Sequence, residues 1–176
     1  MRSRTGMALA MFVMAGAGGF AWASETGYGA SVALSAIASG KAVSVNDMMR
    51  WAAEDEYLAR AEYVAIIGAF GAMRPYTNIM AAEEQHLAWL EAAFADRGLS
   101  FPADGTAGRI AAPPDLKAAA EAGVRAELDN IAMYDAFLAR PELSRPENAD
   151  LKALFESLKR ASENHLRAFR NQLSRF

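Results

Sequence analysis

The sequence predicts an all-α protein: four long helices packed as a bundle, with one long crossover between the second and the third. Three observations carry this reading. Apolar residues recur at helical spacing in four long segments. Proline and glycine punctuate the gaps between those segments, which run short, long, short. That order suits a four-helix bundle with a single crossover. Finally, each apolar stripe is interrupted near its middle by a carboxylate, an imidazole or a hydroxyl, and buried charge is costly without a partner.

The chain has 176 residues, is 53% hydrophobic, contains no cysteine and carries a formal charge of −3. Residues 1–23 read as a secretory signal peptide: Arg2 and Arg4, an apolar run from Met7 to Ala21, then Ala21-Trp22-Ala23 as a cleavage site before Ser24. An uncleaved anchor is the alternative. Cleavage would remove two arginines and no acids, moving the charge from −3 to −5. The expected product is periplasmic or extracellular, with no stable membrane association after cleavage. Its acidity argues against nucleic acid as a partner. Without disulfides, stability must come from packing or bound metal. A homo-oligomer stays open.

Residues 24–44 are rich in Gly, Ser and Ala and read as a flexible lead-in, with room for one short helix. The bundle proper spans 45–176. Its first helix covers about 46–70, with Ser44 or Asn46 as N-cap and Gly71 as stop. Met49, Ala52, Ala53, Tyr63 and Ile67 share one face, with Glu56 at its centre, while Glu54 and Glu62 read as solvated. The second helix opens at Pro75 and carries Tyr76, Ile79, Leu87, Leu90 and Phe94. At about 100° per residue, Glu83 falls mid-stripe and His86 about 60° to one side, while Glu84 and Gln85 point away.

The crossover, 98–114, is long enough to run the length of a bundle. The third helix spans about 116–138, with Asp115 as cap, Glu127 central and Asn130 placed as His86 is on the second. Pro141 and Pro146 bracket a turn. The fourth helix, about 150–173, presents Leu151, Phe155, Leu158, Leu166 and Phe169, interrupted by Ser162 and His165. The halves look like a worn repeat. Glu56 and Tyr63 are spaced as Glu127 and Tyr134 are, and Glu83-x-x-His86 parallels Ser162-x-x-His165.

The inward polar set is therefore Glu56, Glu83, His86, Glu127 and His165. A shared cation is the economical partner for so many buried ligating groups. Oxygen and imidazole donors without thiolate suit iron, manganese or zinc. A metal-free network is the alternative, with Glu56 paired to Arg60 and Glu83 to His165. Tyr63 and Tyr134 read as core residues with hydrogen-bonded hydroxyls, Asn130 and Ser162 as supports of the ligands, and Trp51 and Trp89 as packing.

The segments Ala53–Arg60, Asn78-Ile79 with Glu83 and His86, and Ser162-Glu163-Asn164-His165-Leu166-Arg167-Ala168-Phe169 resemble those of a ferritin-like family, domain of unknown function 2202. Glu56 with Arg60, and Met133-Tyr134 with Phe137, are similar to rubrerythrins. The resemblance covers about 45–173. It implies Glu56 and Glu127 as terminal ligands, Glu83 as a bridge, and His86 and His165 as one imidazole per metal. The chain departs from the full di-iron pattern at Ser162, where a second bridging glutamate would stand. Three glutamates leave two divalent ions under-neutralised, so the second ion should bind more weakly, and a single ion on Glu56, Glu83 and His86 competes. The missing bridge argues against bulk iron storage, and the lack of cysteine against rubrerythrin-type electron transfer. The expected function is an exported ferritin-like protein binding one or two ions of iron or manganese, with zinc as a further candidate, and acting as an oxidoreductase on oxygen or peroxide. A non-enzymatic metal-binding protein and a metal-free interaction module are the alternatives.

Overall fold

A computed structural model describes residues 27–106 and 110–176. The expected signal peptide, 1–23, lies outside the described residues. The described chain is all-helical: α1 (Ala30–Ala38), α2 (Val45–Phe70), α3 (Tyr76–Asp96), α4 (Leu116–Leu138) and α5 (Ala149–Leu173), with two 3-10 turns between α4 and α5. No described helix is long and apolar enough to cross a membrane.

The helix boundaries have local causes. Ser44 caps α2 by accepting from the Asp47 amide, and the Asp47 carboxylate returns a bond to the Ser44 backbone. Asp115 caps α4 through the Ala118 amide at 2.8 Å. Gly71, at φ 87°, ends α2 in a conformation side chains disfavour. The lead-in, expected to be flexible, contains α1, which packs on α2 and α4.

The long helices touch in a closed ring. α2 packs most extensively on α3 and α4 on α5, while α2 meets α4 and α3 meets α5. Two apolar clusters fill the interior. One gathers Met48, Met49, Leu90, Phe94, Met133, Phe137, Phe155 and Leu158 with the alanines of α1. The other gathers Tyr63, Ile66, Tyr76, Ile79, Ala119 and Phe169. Along every long helix the stripe-centred polar residues fall between the stretches feeding these clusters, so a polar layer separates them. The packing is close: a Cβ on Gly123 would meet the Phe169 ring at 2.8 Å, so α4 and α5 approach through a missing side chain.

The crossover is strapped to α2. Tyr57 Oη donates to the Pro102 carbonyl at 3.2 Å, Arg60 pairs with Asp104 at 2.6 Å, and Phe101 packs on Tyr57 and Phe94. Arg60 is thereby committed to Asp104 and does not pair with Glu56, as the metal-free alternative had it.

Candidate metal centre

All five inward residues are buried in the polar layer: Glu56 from α2, Glu83 and His86 from α3, Glu127 from α4 and His165 from α5. Glu83 stands at the middle. Its Oε2 lies 2.7 Å from His86 Nδ1, and its Oε1 lies 3.3 Å from His165 Nδ1. Each imidazole nitrogen also faces a second carboxylate: His86 Nδ1 is 3.1 Å from Glu56 Oε2, and His165 Nδ1 is 3.4 Å from Glu127 Oε1. The rings lie near one another, 5.9 Å between centroids and 26° from parallel.

Two triads result, Glu56–Glu83–His86 and Glu83–Glu127–His165, each with its ligand atoms within 4.8 Å of one another. Either could hold a metal ion. The donors fit one on a further ground. His165 Nδ1 is fully buried and held by charge between two carboxylates, at 3.3 and 3.4 Å, but makes no well-aligned hydrogen bond to either, which leaves its lone pair or proton poorly satisfied.

Tyrosines hold the outer carboxylates in place. Tyr134 Oη donates to Glu56 Oε1 at 2.8 Å, and Tyr63 Oη donates to Glu127 Oε1 at 2.9 Å. Both hydroxyls are accounted for, as the sequence led one to expect. Asn130 and Ser162 do not touch the ligands through these bonds. Ser162 Oγ donates to Asn130 Oδ1 at 2.5 Å, and Asn130 Nδ2 donates to Asp55 Oδ2 at 2.6 Å. Ser162 is thus knitted into a polar chain across α5, α4 and α2.

Asp55 and Glu62 are the buried acids the sequence reading missed; Glu62, read as solvated, is 2% exposed. A signal was present. Trp51, Asp55, Leu58 and Glu62 follow the i, i+4, i+7, i+11 row of one helix edge, and all four are buried. That second face is covered in part by α1, whose Ala30 amide donates to Asp55 Oδ1 at 2.8 Å. Trp89 corrects another expectation. It is 44% exposed, with its ring 5.6 Å from that of His86, and so flanks the centre from the surface. Trp51 is core, stacked on Phe137.

Without metal, this layer must neutralise itself with protons. Burial, reinforced by Glu83, pushes Glu56 up to about 8, and burial pushes Glu127 up to about 7. Burial would lower both histidines, but their carboxylate neighbours outweigh it and raise each to about 10. Burial would raise Glu83 as well, yet the two imidazoles hold it down at about 2. The signs then combine. The histidine contribution is complete below their ordinary 6.5 and is lost as pH climbs to about 10. The raised glutamates bind protons that the unfolded chain releases above 4.5, so they too weaken the fold as pH rises to about 8. Glu83 acts oppositely, and only below 4.5. In chelator, the melting temperature should therefore be highest near pH 5 and fall by roughly 5 °C or more toward pH 10. Circular dichroism melts across that range check it; a flat or rising profile would show that the layer is not proton-neutralised.

The chain matches no protein-family model, no curated protein and no solved structure.

Proposed function

We propose that the chain is an exported, ferritin-like metal-binding protein that holds one or two ions of iron or manganese in the polar layer. The observation that carries this is Glu83, whose two oxygens turn toward two separate histidines and whose carboxylate belongs to both triads. That is the disposition a bridging ligand needs. The closed ring of long helices and the likeness of Ser162–Phe169 to domain of unknown function 2202 support the family reading. In the two-ion form Glu56 and Glu127 hold the outer flanks, each fixed by its tyrosine. Bound iron or manganese would supply one-electron redox chemistry toward oxygen or peroxide. The protein's part is to orient five donors, keep them dry and release their protons as metal enters.

A metal-free polar core is the second reading. It is favoured by the His86 contacts to Glu83 and Glu56, at 2.7 and 3.1 Å, which give His86 Nδ1 two carboxylate partners without an ion.

Elemental analysis of protein purified from its native compartment separates the two. The expected content is about one or two iron or manganese ions per chain. Content well below one, together with failure to reconstitute with Fe(II), Mn(II) or Zn(II), would leave the metal-free reading standing.

A further inference from the structure

Next to the metal centre lies a cavity of about 20 Å³, room for roughly one water-sized group. Glu56, Glu83 and Glu127 line it, Ser162 borders it, and Ala30 and Ser31 of α1 form part of its outer wall. Neither histidine reaches it. The centre therefore has a carboxylate side, and α1 is what stands over that side.

α1 is short and buries only small side chains fully. Nine residues are too few to hold a helix by themselves, and the side chains it buries are the small ones of Ala30, Ala33 and Ala36. Its start is fastened to the crossover, where Tyr28 Oη accepts the Gly105 amide at 3.2 Å, and to α2. Asp55 accepts the Ala30 amide at 2.8 Å, and Glu54 Oε2 accepts the Gly29 amide at 3.4 Å. Gly29 sits at φ 58°, and a Cβ there would fall 2.5 Å from Asp55 Oδ1 and 2.8 Å from Asp55 Cα. Only glycine permits that approach. Asp55 is in turn braced by Asn130, and Asn130 by Ser162.

The geometry points to α1 as a lid on the centre, with Asp55 and Gly29 as its clasp, so that ions enter and leave on the carboxylate side when α1 lifts. The lid rests on the metal-binding reading above. It makes α1 a control on exchange rate, because it contributes no ligand and lifting it alters none.

The test is stopped-flow absorption of Co(II) binding and chelator-driven release for the full chain, as wild type, Gly29→Ala and Asp55→Ala. Hydrogen–deuterium exchange across residues 30–38 is followed in parallel. Gly29→Ala should accelerate exchange in α1 and speed both Co(II) association and release by about tenfold or more, with the equilibrium affinity nearly unchanged. Asp55→Ala should do the same; if its lost bonds prevent folding, Gly29→Ala decides. Unchanged Co(II) rates with a demonstrably loosened α1 would overturn the lid and leave the metal site intact. So would α1 exchange that Gly29→Ala does not alter. A wild type that binds no Co(II) would overturn both.

Discussion

Glu83→Ala should abolish binding at both triads, the largest single effect available in this protein. Glu83 is the one residue common to both triads, so no neighbour can take over its place in either. Removing it leaves each histidine facing its outer carboxylate: His86 keeps Glu56 at 3.1 Å, and His165 keeps Glu127 at 3.4 Å. The metal-free fold should consequently survive. Affinity for both ions should fall by at least about 100-fold, the upper end of what losing a mere supporting group costs. Glu83→Gln, which keeps the shape and removes the charge, should behave alike. Glu84→Ala, exposed one residue along, should change nothing. Calorimetric titration with Mn(II) gives stoichiometry and affinity together. Retention of one full-affinity ion by Glu83→Ala would show that the triads do not share a ligand.

Ser162→Glu should have opposite effects on the metal-free and the metal-loaded protein. It creates a second E-x-x-H with His165 and supplies the negative charge that two divalent ions lack, so the weaker ion should bind about tenfold more tightly or better. In the metal-free state it buries a fourth carboxylate and removes the hydroxyl that donates to Asn130 at 2.5 Å. Asn130 Oδ1 then loses its donor, and the fold should weaken by about 1–3 kcal/mol. Urea unfolding in chelator and in excess Mn(II) should move in opposite directions relative to wild type. Weakening in both conditions would mean that position 162 cannot reach an ion.

The four long helices, the caps at Ser44 and Asp115, and the burial of the five polar residues of the layer were legible because each follows from local residue pattern along one helix. The 3.6-residue period places Glu56, Glu83 and Glu127 mid-stripe whatever surrounds them. The burial of Asp55 and Glu62 was not legible in that way. They lie on a second edge of α2, hidden in part by a helix drawn from a Gly- and Ala-rich stretch with little apolar pattern of its own. The partner of Arg60 was missed for a related reason: Asp104 is 44 residues away on the crossover, and no local period reports such a contact. The role of Ser162 was half legible. Its departure from E-x-x-H stood out, but its bond to Asn130 depends on how α4 and α5 face each other.

The tyrosine bonds cross between the halves of the chain. Tyr63 of α2 serves Glu127 of α4, and Tyr134 of α4 serves Glu56 of α2. The hairpin α2–α3 therefore carries Glu56, Glu83 and His86 yet lacks the hydroxyl that steadies Glu56, and α4–α5 is short of its own in the same way. Neither hairpin is self-sufficient; each finishes the other's half, a reciprocal handshake. The order of events on folding follows. Both tyrosine bonds exist only once the hairpins have docked, so on the metal-binding reading ion capture would be the closing event of assembly. On the metal-binding reading, an ion would act as a rivet set after the plates are aligned, joining donors from both hairpins.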